Sequence, residues 1–325
     1  PTRRSSDLLI ISEGTAITHQ AQGYADVPGL YKPEAIDGWK KVTDAVHAAG
    51  GKIVTQLWHV GRISHTSLQP QEGKPVAPSA IAAKSKTYVL NDDGSGGFVE
   101  TSEPRALETA ELPGIVEDYR KAARAAVDAG FDGVEIHAAN GYLLEQFMRS
   151  NSNQRTDQYG GSVENRIRLT LEVVEAVTSE IGAAKTGIRI SPTTPANDVS
   201  DPDPKTVYTA LVEGLAKFDL AFVHVIEGAT GGPRDVLPFD WKALKSAYRE
   251  ADGKGAWIAN NGYDRASAME AVESGYADLV AFGRPFISNP DLVRRLKEDA
   301  ALNPLDAATL YGGGAEGYTS YPALA

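Results

Sequence analysis

Short, almost unbroken apolar runs recur along the chain, each closing on a polar residue or a glycine. A longer stretch of mixed polarity separates most of them. The runs are 8–14 (LLIISEG), 52–59 (KIVTQLWH), 133–139 (GVEIHAA), 187–192 (GIRISP), 221–228 (AFVHVIEG), 256–262 (AWIANNG) and 279–285 (LVAFGRP). Near-continuous apolar and β-branched character is what a strand buried on both faces of a parallel sheet requires. Between the runs the period becomes helical. Residues 33–50 start at Pro33, which a first turn tolerates, and stop at Gly50. Residues 115–130 put Ile115, Tyr119, Ala122, Ala126 and Ala129 on one stripe and close at Gly130. Residues 162–182 open with Ser162 as an N-cap, with Asn165 three positions on.

Seven alternations of strand and helix, with no linker and no shift in composition, predict one α/β domain. A doubly wound sheet and a barrel are the two candidates. Polar residues stand at the C-terminal end of almost every run: Glu13, Gln56, His59, His137, Arg189, Glu227, Asn260 and Arg284. In a barrel those ends converge on one mouth, whereas an open sheet gathers only those beside its switch point. The expected fold is therefore a (β/α)8 TIM barrel over residues 8–325, with seven βα units visible. The Pro-, Gly- and Ser-rich segment 60–113 is expected to cross the mouth as a lid or short hairpin. A closed barrel needs one more strand before residue 8, and residues 1–7 (PTRRSSD) are too short and polar to supply it. They read as a leader, and the first βα unit as missing.

Composition narrows the function. A net charge of −11, with no Lys/Arg block, speaks against a nucleic-acid partner. The absence of cysteine excludes disulfides, thiolate metal sites and a Cys nucleophile, and suits the cytoplasm. No apolar run approaches the roughly 20 residues of a membrane span. A small-molecule substrate is the expected partner, and the chain is expected to be a monomer or a homodimer associating through exposed strand edges.

Residues 135–166 (EIHAANGYLLEQFMRSNSNQRTDQYGGSVENR) carry the densest chemistry. Singly, His137 reads as a satisfied core histidine, Asn140-Gly141 as a turn and Tyr142 as a packing residue. Together, at a barrel mouth, His137 and Asn140 can both donate to one carbonyl or anionic oxygen while Tyr142 supplies a proton nearby. That is an oxyanion clamp with a general acid. Weaker candidates have plainer readings. Gly312, Gly314 and Gly317 match a dinucleotide fingerprint but have no strand before them, so they read as a C-terminal loop. Asp92, Asp93 and Gly94 form a turn. His59 and His65 lack metal spacing. Glu13 fits either a base or a loop cap.

The 135–166 segment, with QLWHVGR (56–62), GIRISP and AFGRPFISNPDLVRR (281–295), resembles the Old Yellow Enzyme family of FMN-dependent ene reductases, and the resemblance runs from residue 8 to 325. It implies FMN as cofactor and NADPH or NADH as reductant. It implies that His137 and Asn140 hold the substrate oxygen and that Tyr142 is the proton donor. Gln56 would contact the flavin ring and Arg189 would lie by its N1 and O2 side. Asn260, Gly262, Gly283 and Arg284 would form the phosphate site, with Glu13 and Gly14 also on the cofactor side. Trp58, Tyr24 and Tyr311 would border the substrate. The resemblance also implies an FMN-contacting first strand and helix before residue 8. The implied activity is reduction of activated C=C bonds by NAD(P)H. Two other readings compete: a flavin-poor barrel serving as a scaffold, and a Schiff-base aldolase. The latter is disfavoured because no strand-end Lys sits in a suitable polar setting.

Overall fold

The computed structural model describes residues 9–310 and 315–324. In chain order these form β1 (Leu9–Ala16), α1 (Pro33–Ala48), β2 (Lys52–Trp58), β3 (Val76–Ala77), β4 (Lys86–Leu90), β5 (Gly96–Glu100) and β6 (Arg105–Ala106). There follow α2 (Leu112–Asp128), β7 (Gly133–Ala138), α3 (Leu143–Met148), α4 (Val163–Ile181), β8 (Thr186–Ile190), α5 (Pro204–Leu215) and β9 (Phe222–Ile226). The chain closes with α6 (Trp241–Glu250), β10 (Ala256–Asn260), α7 (Arg265–Glu273), β11 (Leu279–Ala281), α8 (Arg284–Ser288) and α9 (Leu292–Glu298).

Each expected apolar run contributes a strand to one seven-stranded parallel sheet, ordered β1-β2-β7-β8-β9-β10-β11. Neighbours in the sheet follow chain order throughout. Among the described residues no strand order reverses and no switch point arises, and the architecture is that of an α/β barrel rather than a doubly wound sheet. Among the described residues β1 and β11 are the two sheet edges.

The continuous apolar pattern has its expected consequence: every residue of β7 is buried. Burying Val134 and Ile136 contributes about 1.5–3 kcal/mol each. On α2 the stripe Ile115, Tyr119, Ala122 and Ala126 is buried, as its spacing requires. Ser162 caps α4 by accepting from Asn165 N–H at 3.3 Å. The 60–113 excursion contains the expected hairpin, β4 against β5, turned at Gly94 with φ of 80°.

Two boundaries differ from the sequence reading. Glu13 is not a strand end, because β1 runs on to Ala16 and its pairing with β2 shifts register between Ile11 and Gly14. Glu13 stands in that irregularity. The run 279–285 stops at Ala281, and Arg284 and Pro285 open α8 instead. Proline lacks the N–H a ladder needs but suits a helix's first turn. Residues 1–7, read as a leader, lie outside the described residues.

Candidate active site

Parallel pairing stacks the inward side chains in layers. Gln56 is in register with Glu135, His137 with Arg189, and Arg189 with His224. Gln56, Glu135, Arg189 and His224 line a cavity of about 1030 Å³, large for a small-ligand site. Its walls include Glu13, Gly14, Asn260 and Gly283. A Cβ on Gly14 would fall 2.8 Å from the Trp58 ring, so only glycine leaves that wall open.

The cavity floor is a connected polar set. Glu135 accepts from Gln56 Nε2 at 2.6 Å and pairs through its other oxygen with His224 Nδ1 at 2.7 Å. Burial pushes the Glu135 pKa up, but His224, Arg189 and Gln56 more than offset it and hold a carboxylate there. Gln56 therefore points its amide oxygen away from Glu135, because its NH2 is committed. Arg189 donates through Nη2 to Asn260 Oδ1 at 3.1 Å, and Asn260 Nδ2 donates to Ala281 O at 2.8 Å. The Arg189 Nε is buried with no partner. Burial pulls the Arg189 pKa below its ordinary value, with Glu135 opposing. The acidic neighbour of this guanidinium is Glu135. Burial raises the Glu13 pKa.

A second group stands beside the first. The Trp58 and His137 rings are stacked at 6.4 Å, and Tyr142 meets both edge-on at 5.0 Å. Tyr24 stacks on Trp58 at 5.7 Å and brings its hydroxyl to 3.4 Å from that of Tyr142. His137 accepts the Ala139 N–H at Nδ1, so the neutral ring carries its proton on Nε2. Burial, then the Arg189 charge, pulls the His137 pKa from 6.5 down to about 3. A neutral donor is thus maintained across the physiological range.

The turn reading of Asn140 holds. The residue has φ of 56°, a left-handed conformation that asparagine tolerates better than most side chains. It also stands at the strand end beside His137, where Thr230 Oγ1 donates to its Oδ1 at 2.7 Å and leaves Nδ2 for another acceptor. The next residue, Gly141, has φ of 74°, and a Cβ there would lie 2.7 Å from Ala196 O.

Not all expected site residues converge. Gly262 and Arg284 do not line the cavity, and neither do His137, Asn140, Tyr142, Trp58 and Tyr24, which form the neighbouring group. Arg284 instead donates to Gly231 O at 2.9 Å, tying down the loop after β9. His59 is fully buried. Glu227, at the end of β9, accepts from Tyr263 and Tyr276. Tyr311 lies outside the described residues, as do Gly312 and Gly314. Sequence reasoning missed Glu135, His224, Thr230 and Glu145. Glu135 carried a signal, an acidic residue inside an otherwise apolar strand; Glu145, next to Gln146 in a short helix, reads as an ordinary charge. Thr230 sits in an unremarkable loop and carried none.

The profile of the NADH:flavin oxidoreductase / NADH oxidase family matches residues 2–303. The chain is 45% identical over 331 residues to putative 12-oxophytodienoate reductase 5 of Oryza sativa subsp. japonica, spanning 99% of this chain and 83% of that protein. With 12-oxophytodienoate reductase 2 of Arabidopsis thaliana the identity is 41% over 332 residues, spanning 99% and 84%. The structure of morphinone reductase in complex with tetrahydroNAD superposes with a TM-score of 0.93 at 46% identity, over 100% of this chain and 87% of that one. The old yellow enzyme homologue from Zymomonas mobilis superposes with a TM-score of 0.93 at 40% identity, over 99% and 88%.

Proposed function

The chain belongs to the NADH:flavin oxidoreductase / NADH oxidase family of FMN-dependent oxidoreductases, and from that premise we propose that it reduces the activated C=C bond of α,β-unsaturated carbonyls, nitroalkenes and related electrophiles, with NADPH or NADH as reductant. The residues present fit FMN. An isoalloxazine ring offers carbonyl and ring-nitrogen acceptors, an N–H donor and an apolar edge. The cavity offers the unpartnered Arg189 Nε, the inward amide oxygen of Gln56, and apolar walls at Ala281 and Phe282. Arg189 and Gln56 would hold the ring. FMN held there would supply the two-electron chemistry that links the nicotinamide to the acceptor.

The protein's part is polarisation and proton delivery. The observation that carries the proposal is the convergence of a neutral His137 and the Tyr142 ring beside the Trp58 ring, at the strand end that Asn140 follows. His137 Nε2–H and Asn140 Nδ2 bind the acceptor's carbonyl or nitro oxygen and draw electron density from the double bond. As negative charge builds on that oxygen, fixed donors stabilise it without reorganising. Tyr142 gives its phenolic proton to Cα, the carbon next to the polarised group, while hydride arrives at Cβ. Tyr24, within 3.4 Å, can share the negative charge left on Tyr142 through a hydrogen bond. Trp58 shields the position from water.

Tyr142→Phe separates the two halves of the reaction. In the FMN-loaded variant, flavin reduction by NADPH should stay within about threefold of the parent, because no protein proton is needed there. Reoxidation by 2-cyclohexenone should slow by about 10²–10⁴-fold, the range for a lost general acid. Rapid-mixing absorbance reads both. An enone step at the parent rate would show that the proton comes from elsewhere.

A further inference from the structure

Asn140 and Gly141 hold two consecutive left-handed conformations, at φ of 56° and 74°. Such a turn points successive N–H groups toward a common side and needs an acceptor there. The acceptor is Glu145, one turn further on and fully buried. Its Oε2 takes the Gly141 N–H at 2.7 Å and the Ser191 hydroxyl at 2.8 Å. Ser191 Oγ takes the Asn140 N–H at 2.8 Å. One carboxylate oxygen therefore holds both N–H groups, one directly and one through a hydroxyl.

The other oxygen is anchored to the barrel. Glu145 Oε1 accepts from Tyr208 Oη at 2.5 Å and from Arg149 twice, through Nε at 3.0 Å and Nη2 at 2.5 Å. Arg149 Nη2 also donates to Ser191 O at 2.7 Å, closing the set. On the opposite side of the turn, Asn197 Nδ2 donates to Asn140 O at 2.8 Å. The clamp turn is thus fixed from both sides, and Tyr142 is the N-cap from which α3 starts.

We propose that Glu145, acting through Ser191, is the positioning residue for the oxygen clamp and proton donor: it sets the Asn140-Gly141 turn and so the aim of Asn140 and Tyr142. The inference rests on the reading of His137 and Asn140 as that clamp. A carboxylate is needed because all five contacts are donors. Glutamine at 145 would turn an NH2 either toward Gly141 N–H and Ser191 O–H or toward Tyr208 and Arg149, opposing donor to donor in both cases.

The test is titration of the FMN-loaded full chain with 4-hydroxybenzaldehyde, a phenol whose oxygen engages the clamp, read by difference absorbance. FMN affinity and melting temperature are measured in parallel. Glu145→Gln and Ser191→Ala should each weaken phenol binding by about tenfold or more, the scale of a lost buried hydrogen bond and its displaced partner. FMN affinity should stay within about twofold. If Glu145→Gln does not fold, Ser191→Ala decides alone, since it leaves the Glu145–Arg149 pair intact. Phenol binding at parent strength in Ser191→Ala, with only the melting temperature lowered, would overturn the inference and leave the network structural. A His137→Ala/Asn140→Ala variant runs beside them. If that variant binds the phenol like the parent, the clamp reading itself fails, and the positioning role with it.

Discussion

His59 follows β2 with no exposed surface. Its Nδ1 accepts the Gly61 N–H at 3.1 Å, and its Nε2 is buried without a partner. A charge there would have neither water nor a carboxylate, so burial pulls the pKa from 6.5 to about 3. Unfolding restores the ordinary value. The unfolded chain then binds a proton that the folded chain refuses, so stability falls as pH drops below the unfolded pKa and stops falling once the folded pKa is passed. From about pH 7.5 to about pH 5.5 the unfolded His59 gains close to one proton while the folded one gains almost none, which costs about 1.4 kcal/mol. His137, also held near 3, adds a similar loss over the same interval. His59→Gln keeps an acceptor for the Gly61 N–H and cannot titrate. Urea unfolding of parent and variant at the two pH values gives the quantity directly. The parent's loss of stability should exceed the variant's by about 1.4 kcal/mol, whatever the variant costs at either pH alone. Equal losses would refute the argument, meaning that folded His59 binds its proton as readily as unfolded His59 does.

Arg189→Met should weaken FMN binding by about tenfold or more, since a charge-assisted hydrogen bond contributes ~1.5–3 kcal/mol; equilibrium dialysis with FMN checks it, and unchanged affinity would make Arg189 architectural. The same variant should raise the His137 pKa, because the Arg189 charge is among its depressors, and an imidazole NMR titration reads the shift. Gly141→Ala puts a Cβ 2.7 Å from Ala196 O at a positive φ, so it should destabilise the fold by at least about 1–3 kcal/mol and weaken phenol binding; a parent-like melt would mean that the turn relaxes freely. Tyr142→Phe, tested by the two half-reactions above, completes the set.

What the sequence determined by itself is what short-range pattern encodes. Seven apolar runs placed seven strands, Pro33 and Ser162 marked helix starts, and Asp92-Asp93-Gly94 marked the hairpin turn, because each signal resides in a few neighbouring residues. The cluster of His137, Asn140 and Tyr142 was legible for the same reason, since six residues of one strand end and turn carry it. What only the tertiary structure decided depends on residues far apart in the chain. Gln56 meets Glu135 across 79 positions, His224 meets Glu135 across 89, and Ser191 meets Glu145 across 46. No periodicity announces such pairs; the register of parallel strands creates them. Burial then sets their chemistry. Glu145 reads as an ordinary charge in a helix until every atom around it is known. In the fold it is a desolvated carboxylate, worth keeping only because five donors surround it.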